Sequence, residues 1–269
     1  MDTYFETNLK RWDELVGVHK ETPYYDLAGF KAGRDSVYSI EVGELGDVAG
    51  KTLLHLQCHF GMDTLSWARR GATVTGVDFS QRAIESARAL ASELGIDARF
   101  VHSDIYSLPD NLAGQFDVVF TSYGTNFWLP DLDRWAAIIN HFLRPGGVFY
   151  IIDFHPMSGI FEDQGEVQDL TVAYPYFPSG PLFFEVEGTY ADRTATVLNR
   201  GTYSWVHPIS ESVTALLDAG LRLDFLHEFP YTVEQWYPFM ERDPGGYWRL
   251  TKHDGSIPLM FSIRATKPG

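Results

Sequence analysis

Four short apolar runs in the first half of the chain are each followed by residues that could bind a small molecule. Gly61 stands in the turn after the first run, Asp78 follows the second, Asp104 the third and Ser122 the fourth. Glycine lets a backbone approach a ligand closely, whereas a carboxylate can accept hydrogen bonds from two ribose hydroxyls or from an adenine amine. Residue types in this order are typical of a nucleoside site.

Helical segments separate the apolar runs, and this alternation predicts an α/β fold. Ser80 is a candidate N-cap and Gly95 a candidate C-terminal stop for the clearest amphipathic helix. Strands joined by helices imply right-handed crossovers and a parallel sheet, so we expect the candidate residues to meet at its carboxyl edge. The predicted strands are 52–56, 73–77, 99–102, 117–121 and 148–154, with helices over 63–70, 81–94 and 132–143.

The segments outside this alternation are predicted to close over the sheet edge. Helical spacing indicates a first helix near residues 4–16, and the aromatic stretch 19–39 indicates an irregular arm or lid. Alternating apolar and polar residues near 183–189 and 200–206 predict an antiparallel cap. The prediction is completed by a helix over 212–219, strands over 221–226 and 259–265, and a loop or short helix over 231–250. The predicted domains are an arm (1–50), a core (51–155 and 208–269) and a cap (156–207).

The landmarks along the chain resemble those of the class I S-adenosylmethionine-dependent methyltransferases. The resemblance covers roughly residues 50–155, and the closing helix and two strands resemble the reversed final hairpin of that family. It implies a Rossmann-like seven-stranded sheet, mostly parallel with a reversed last strand, plus an antiparallel cap insertion. The variant first motif is similar to that of a bacterial subgroup of small-molecule methyltransferases. The matching segments are Leu53–Gly61, Val77-Asp78, Ser103–Ile105, Phe116–Val119 and Leu143–Gly147.

The resemblance implies S-adenosylmethionine as the cofactor. The first motif of the family usually reads acidic-x-Gly-x-Gly-x-Gly, whereas this chain has His55, Gln57, His59 and Gly61 at those positions. The cofactor's amino group therefore lacks its usual acidic neighbour at position 55, and the bulk of His59 narrows the approach to that end. The predicted cofactor-binding residues are Gln57, His59, Gly61, Asp78, Phe79, Asp104, Ile105 and Ser122.

Methyl transfer from a sulfonium needs alignment and desolvation, and an acceptor that must lose a proton also needs a base. His155 is the preferred base by type, because imidazole titrates near neutral pH. Asp153 shares its face of the fifth strand, His207 lies on the cap, and Tyr123 follows the fourth strand. A structural His-Pro turn is the alternative for His155. The predicted catalytic residues are thus His155, His207, Asp153 and Tyr123.

Aromatic residues make up 15% of the chain, a share that can line a pocket for an organic ligand as well as fill a core. The resemblance places substrate contacts after the fourth strand, and an aromatic site favours a small organic acceptor. The accepting atom, whether O, N, S or C, stays open. Tyr24, Tyr25 and Phe30 could close as a lid, with core packing as the alternative. The predicted substrate-binding residues are Tyr24, Asn126, Trp128 and Trp205.

Composition limits the partners of the protein. The chain has 21 Lys and Arg against 36 Asp and Glu, a net charge of −15, which disfavours nucleic acids and anionic membranes. No stretch approaches the roughly 20 apolar residues of a membrane span, and the start lacks a secretory pattern. The single cysteine, Cys58, fits a reducing compartment. We therefore predict a cytoplasmic protein, with a homodimer possible.

Other functions stay open at this point. A nicotinamide-dependent oxidoreductase could use Asp78 equally well, although the Gly-x-Gly-x-x-Gly motif is absent. A catalytically inactive nucleoside-binding protein is a second alternative, because the first motif has lost glycines. A hydrolase is disfavoured by the absence of a Gly-x-Ser-x-Gly elbow, and Cys58 is expected to be a small buried hydrophobe. His55 and His59 lack a third ligand at a known spacing, so no metal site is predicted.

Overall fold

A seven-stranded sheet with two small hairpins beside it forms the framework of the computed structural model, which describes residues 3–163 and 167–269. The strands of this part of the chain are β1 (Thr52–Leu56), β2 (Thr73–Asp78), β3 (Arg99–His102), β4 (Phe116–Ser122), β5 (Leu143–Phe154), β6 (Leu182–Glu185), β7 (Gly201–Ser204), β8 (Arg222–Phe229), β9 (Met240–Arg242), β10 (Trp248–Leu250) and β11 (Met260–Thr266). Its α-helices are α1 (Thr3–Glu21), α2 (Leu27–Lys31), α3 (Ser39–Leu45), α4 (Met62–Arg69), α5 (Gln81–Leu94), α6 (Leu108–Asn111), α7 (Leu132–Phe142) and α8 (Ile209–Asp218).

The strand order of the large sheet is β3-β2-β1-β4-β5-β11-β8. Pairing is parallel from β3 through β5, and β11 is antiparallel to both of its neighbours, β5 and β8. The predicted sheet, mostly parallel with a reversed last strand, is therefore confirmed. The carboxyl ends of β1, β2, β4 and β5 meet along one edge, which is where open α/β sheets bind ligands.

Local signals explain why the helices next to the site form where they do. The Ser80 side chain accepts a hydrogen bond from Ala83 N and caps α5, and Gly95 ends that helix in the left-handed conformation. The buried face of α5, which includes Ile84 and Leu90, packs on the sheet. Helix α4 begins directly after Gly61, so the turn that follows β1 leads straight into a helix N-terminus.

Strand β5 begins five residues before the predicted start. Leu143 already pairs with Phe116, and the register then shifts before Val148 pairs with Val118. The backbone of Gly146 donates to Lys267 O, which holds the intervening segment beside the end of β11. The turn residues of this segment therefore lie within an irregular strand rather than ahead of it.

Two segments differ from the sequence-based expectation. The stretch 19–39, expected to be irregular, contains α2 and the first residue of α3, and the Asp26 side chain caps α2 by accepting from Gly29 N. The stretch 231–250, expected to be a loop or short helix, contains the hairpin of β9 and β10. Asp243 closes that hairpin because its carboxylate accepts from the backbone N–H groups of Gly245 and Tyr247.

The second half of the chain adds material over the carboxyl edge of the sheet. Strands β6 and β7 pair antiparallel and form the predicted cap hairpin in a shorter form. Phe161, from the insertion, shares an apolar cluster with Tyr237, Met240 and Leu250, so residues 231–258 pack with the insertion as well as with the sheet. Among residues 3–163 and 167–269, no helix is long and apolar enough to cross a membrane.

Candidate active site

Two adjoining cavities lie over the carboxyl edge of the sheet. The strand-end cavity, about 400 Å³, is bordered by residues at or just after the carboxyl ends of β1, β2 and β4, among them Gln57, Asp78 and Ser122. The cap cavity, about 730 Å³, lies between the sheet and the β6–β7 hairpin and is bordered by Asn126 and Trp205, among others. Their walls share several residues, so the two spaces meet at a common boundary.

The turn after β1 keeps a glycine-like backbone without the glycines. Gln57 has a φ of 56° and His59 a φ of 49°, both in the left-handed region that costs a side-chain-bearing residue about 1–2 kcal/mol. Gly61, at φ 85°, has no room for a side chain, unlike positions 57 and 59. A Cβ there would lie 2.8 Å from the Phe100 ring and 2.9 Å from Ala87 Cβ. Packing of α5 against β3 therefore explains Gly61, although it also borders the strand-end cavity.

The side chains of Gln57 and His59 occupy space that glycines would leave open. Gln57 Nε2 donates to Thr125 O at 3.1 Å, and its Oε1 is buried without a partner among the described residues. His59 Nε2 lies 3.0 Å from His19 Nδ1 of α1. Burial lowers the pKa of His19 to about 3 and that of His59 well below its usual value. Both rings are therefore neutral, and one donates to the other.

Asp78 lies at the end of β2 and borders the strand-end cavity. Its Oδ2 accepts from His59 N and its Oδ1 from Ser80 N, both at 2.8 Å. Each carboxylate oxygen has a second lone pair, so both can also accept from ligand hydroxyls. Burial raises the pKa of Asp78 to about 6, and the two backbone donors oppose that rise. The carboxylate thus supports the turn and can still bind a ligand.

The structure brings six of the eight predicted cofactor-binding residues to the strand-end cavity and leaves two outside its lining. Phe79 borders the cavity and packs edge-on against Phe5 of α1, and Ser122 Oγ donates to Asp63 Oδ2 at 3.0 Å. Asp104 instead accepts from Ser107 N and forms a turn, and Ile105 is buried in the main core. Neither of the last two lines either cavity.

Sequence analysis missed Asp63 and Arg34, which border the same cavity. Asp63 stands in the first turn of α4, burial raises its pKa, and Arg34 and Ser122 lower it. His55, at the position where the acid is missing, contacts Thr64 Oγ1 at 2.8 Å, so its ring lies beside the start of α4. The signal in the sequence that could have identified Asp63 is its place two residues after Gly61. Asp63 therefore supplies a carboxylate near position 55, where the usual acid is missing.

His155 does not have the free lone pair that a base requires. Its Nδ1 accepts from Met157 N at 3.0 Å, which leaves the ring proton on Nε2, 3.0 Å from Glu228 Oε1. Both nitrogens of His207 also have partners, because Nε2 donates to Leu129 O at 2.7 Å and Nδ1 lies 3.0 Å from Glu211 Oε2. Both predicted bases line the cap cavity, but their nitrogens are engaged in holding the backbone and neighbouring carboxylates. This geometry does not favour either residue as the base, and their catalytic role stays a prediction.

Asp153 and Tyr123 also have roles different from those expected. Asp153 is fully buried, lines neither cavity and anchors the loop after β4. Tyr123 borders the strand-end cavity, and burial raises the pKa of its hydroxyl far above neutral pH, so it can donate but not act as a base. The donors to the Asp153 carboxylate are the backbone N–H groups of Gly124, Thr125, Asn126 and Phe154 and the Thr125 hydroxyl.

The predicted substrate-binding residues all border a cavity. Tyr24 lines the strand-end cavity, Asn126 and Trp205 the cap cavity, and Trp128 both. Asn126 Nδ2 donates to Ser212 Oγ, whereas Asn126 Oδ1 and Trp128 Nε1 are buried without partners among the described residues. These two atoms can hydrogen-bond a ligand, since buried polar atoms are normally paired.

Two further expectations concern the arm and the cysteine. Tyr25 contributes to the wall of the strand-end cavity, and its hydroxyl hydrogen-bonds that of Tyr190. Phe30 is fully buried in an apolar cluster with Cys58 and Phe60, so it is a core residue rather than part of a lid. Burial raises the pKa of the Cys58 thiol far above its usual value, which leaves it unreactive. No group of three potential metal ligands occurs among residues 3–163 and 167–269.

Glu234 is a third residue that sequence analysis missed. It lies between β8 and β9, is buried, and borders both cavities. Burial raises its pKa to about 7, although a hydrogen bond with the Trp236 side chain and the charge of Arg193 lower it. The surrounding sequence is rich in aromatic residues, and nothing in its periodicity indicates that this acid points inward. Its position depends on tertiary packing.

Part of the chain is similar to known proteins of one class. Residues 53–147 match the family model described as a methyltransferase domain. The chain is 32% identical over 147 residues to a ubiquinone biosynthesis O-methyltransferase of Escherichia fergusonii, and the match spans 54% of this chain and 58% of that relative. Proteins of the same description from Escherichia coli match over the same shares of both chains.

Solved structures agree on the fold. An S-adenosylmethionine-dependent methyltransferase of Mesorhizobium loti matches with a TM-score of 0.58 and 19% identity, over 88% of this chain and 99% of the other. One of Clostridium acetobutylicum matches with a TM-score of 0.58 and 13% identity, over 98% of this chain and 99% of the other. These findings confirm the resemblance seen in the sequence. Residues 53–147 match a methyltransferase domain, and the chain has the fold of the S-adenosylmethionine-dependent methyltransferases.

The charges of the strand-end cavity fit S-adenosylmethionine. That cofactor carries a sulfonium and an ammonium against one carboxylate, together with two ribose hydroxyls. The described lining includes the carboxylates of Asp63, Asp78 and Glu234 and the guanidinium of Arg34. An excess of acids over bases suits a ligand with net positive charge and opposes a pyrophosphate. Asp78 retains acceptor sites for the hydroxyls, so the residues present fit the cofactor.

Proposed function

We propose that the protein transfers a methyl group from S-adenosylmethionine to a small organic acceptor. The observation that carries the proposal is the meeting of two cavities at the carboxyl edge of a class I sheet. One cavity includes the carboxylate of Asp78 at the end of β2, and the other is larger and has aromatic side chains such as Phe184 and Trp205 in its wall. This arrangement supports a donor site beside an acceptor site.

The strand-end cavity would hold the cofactor through residues of this chain. Asp78 would accept hydrogen bonds from the ribose hydroxyls, and Phe79 would contact the base. Asp63 would bind the amino group in place of the acid missing at position 55, and Arg34 the carboxylate. Asp26 supports this role of Arg34, because its Oδ2 lies 2.9 Å from Arg34 Nε and orients the guanidinium.

The chain contributes alignment and exclusion of water to the reaction. When bound, the cofactor supplies an electrophilic methyl group and carries its own leaving group. Trp12 and Trp128 pack edge-on at 5.4 Å between the centroids of their rings, and Phe154 packs on Trp236 at 4.6 Å. All four rings border both cavities. They would keep water from the reacting atoms and hold the acceptor in line with the donor.

A small organic acceptor is favoured over a macromolecule because the cap cavity is partly enclosed. Its volume of about 730 Å³ falls within the usual range for small-molecule sites. The name of the Escherichia relative favours oxygen as the accepting atom. A cytoplasmic location is supported by the single cysteine, and the absence of nucleic-acid partners by the net charge of −15.

Calorimetry with S-adenosylhomocysteine tests the donor site. We expect the product to bind the wild-type protein and NAD not to bind. Asp78→Asn should weaken product binding by about tenfold to a hundredfold, since hydrogen bonds to a charged group contribute about 1.5–3 kcal/mol. The asparagine variant is preferable to alanine, which would remove both acceptors of the turn's backbone N–H groups.

Asp104→Asn is the matched control, because Asp104 also follows a strand of the sheet but does not line the strand-end cavity. It should leave the affinity within about twofold, well below the loss of one charged hydrogen bond. Equal losses in the two variants would contradict the assignment of Asp78. Binding of NAD in preference to S-adenosylhomocysteine would overturn the proposed function. Transfer of a labelled methyl group would exclude an inactive binding protein.

A further inference from the structure

The boundary between the two cavities is almost entirely aromatic. Trp12, Trp128, Phe154 and Tyr190 border both spaces, and Glu234 is the carboxylate among the shared residues. If donor and acceptor occupy the two cavities, the reacting atoms meet at this boundary. A carboxylate at that place would contact the acceptor where the new bond forms.

Glu234 is buried but not neutralised by a close cation. Its residue is 9% exposed, and the Trp236 side chain hydrogen-bonds its carboxylate. Arg193 of the insertion interacts with it electrostatically, as do the hydroxyls of Tyr24, Tyr25 and Tyr190. No salt bridge within 4 Å joins Glu234 to a basic residue in the described part of the chain.

Among Glu234 and the three tyrosines around it, Glu234 is the group whose charge changes near neutral pH. Tyrosine hydroxyls titrate near 10, and burial raises the pKa of the three around Glu234 further, so they stay protonated. Burial raises the pKa of Glu234 to about 7, which is where a general base is most effective at neutral pH.

We propose that Glu234 is the general base for an acceptor O–H or N–H group at the boundary of the two cavities. The acceptor is then a small aromatic or similarly flat apolar molecule that bears a hydroxyl or an amine. This inference rests on the proposed function. The acceptor's lone pair forms the new bond to carbon, the carbon–sulfur bond breaks with its electron pair left on sulfur, and the acceptor's proton passes to Glu234.

The geometry favours Glu234 over both histidines. The nitrogens of His155 and His207 already contact backbone groups and carboxylates, so neither ring offers a lone pair to a ligand. Glu234 has one carboxylate hydrogen bond, from Trp236, and several lone pairs free. The aromatic lining of the cap cavity, which includes Phe184 and Trp205, supports a flat apolar acceptor body.

Labelled methyl transfer to phenol, 4-nitrophenol, catechol and aniline tests the assignment. Glu234→Gln should lower kcat by about 10²–10⁴-fold, the usual contribution of a general base. The loss should be smaller with 4-nitrophenol than with phenol, because the more acidic hydroxyl needs less help. The wild-type rate should rise with pH as Glu234 ionises, and this rise should be absent from the pH–rate profile of Glu234→Gln. Glu234→Asp should recover part of the rate.

Two measurements separate a base from a structural residue. S-adenosylhomocysteine affinity, by calorimetry, should stay within about twofold in Glu234→Gln, since the proposed role concerns the acceptor's proton. Infrared difference spectra of the ligand-free wild type minus Glu234→Gln should show a protonated carboxyl band that disappears as the pH rises through about 7. Glu241→Gln, an exposed residue on the neighbouring hairpin, is the matched control and should behave like wild type in every assay.

The possible outcomes distinguish this inference from the proposed function. If the wild type does not bind S-adenosylhomocysteine, the proposed function fails. If it binds but methylates none of the four probes, the inference about acceptor class is wrong while the donor site stands. Unchanged kcat in Glu234→Gln, an equal loss with phenol and 4-nitrophenol, or a carboxyl band absent at low pH would each overturn Glu234 as the base.

Discussion

The two cavities of this protein are built in different ways. The strand-end cavity takes its key residues from positions fixed by the sheet, and its backbone and carboxylates are tightly engaged, as Asp78 shows through its bonds to His59 N and Ser80 N. The cap cavity takes most of its wall from segments outside the sheet. Two of its polar atoms, Asn126 Oδ1 and Trp128 Nε1, have no partner among the described residues.

This difference indicates which part of the reaction each region controls. A parallel sheet places the ends of its strands in a fixed relation, so the proposed contacts of Asp78 and Asp63 to a cofactor depend on the core, whereas that of Arg34 depends on the arm. The acceptor contacts depend on the arm, the insertion and the β9–β10 hairpin region. Substitutions in the cap can therefore change the acceptor without disturbing donor binding, and substitutions at the strand ends should do the reverse.

The largest effect that tests this division is expected at Asp63. If Asp63 binds the cofactor's amino group, Asp63→Asn should weaken S-adenosylhomocysteine binding by about tenfold to a hundredfold, the value of a charge-assisted hydrogen bond of about 1.5–3 kcal/mol. Calorimetry with 5′-methylthioadenosine, which lacks the amino-acid end, should show no difference between the variant and wild type.

Trp205→Ala is the control from the other region, because Trp205 borders the cap cavity and not the strand-end cavity. It should bind S-adenosylhomocysteine within about twofold of wild type, a change smaller than one charged hydrogen bond would produce. If Trp205→Ala weakens product binding as much as Asp63→Asn, the two cavities are not separate in function. A loss of 5′-methylthioadenosine affinity in Asp63→Asn would place that residue at the nucleoside rather than at the amino-acid end.

The next effect is a pH dependence of stability at His55. Burial lowers the pKa of His55 from 6.5 to about 3, so below pH 6.5 the unfolded chain binds a proton that the folded protein does not. Acid therefore favours unfolding, by about 1.4 kcal/mol for each pH unit below 6.5. Urea unfolding at pH 7 and pH 5.5 should show the wild type losing about this much stability relative to His55→Gln.

The difference in unfolding free energy between wild type and His55→Gln does not contain the contribution of the buried acids. Glu41, whose pKa burial raises to about 8, acts in the opposite direction, since the folded protein holds its proton more tightly than the unfolded chain. That contribution is common to wild type and variant and cancels in the difference. A difference that stays constant between the two pH values would show that His55 is protonated in the folded protein.

Much of the sheet could be predicted because its signals are local. The bounds of β1, β3 and α5 follow from apolar runs, an N-cap at Ser80 and a stop at Gly95. The β9–β10 hairpin could not be predicted, because its strands have three residues each and depend on the turn that Asp243 closes. Short elements of this kind form through tertiary contacts that leave no periodicity in the sequence.

The same division applies to the site. Residues directly after β1, β2 and β4 reach the strand-end cavity because the sheet places them there, whereas Asp104 turns into its own hydrogen bond with Ser107 N. Arg34 and Glu234 come from segments whose course is set by packing, and no spacing connects them to the strand ends. Sequence patterns therefore indicated the donor side better than the group we propose as the base.

The smallest effect is expected at Gln57, which donates to Thr125 O in the loop that leads to Asn126 and Trp128 of the cap cavity. Gln57→Gly would relieve about 1–2 kcal/mol of left-handed strain, but would lose about 1 kcal/mol of hydrogen bonding and about 0.5–1 kcal/mol of backbone entropy. Urea unfolding should thus change by less than about 0.5 kcal/mol, whereas Gln57→Ala, which keeps the strain and loses the bond, should cost about 1 kcal/mol. A large loss in Gln57→Gly would show that this bond fixes the loop after β4, and that the donor side helps to shape the acceptor side.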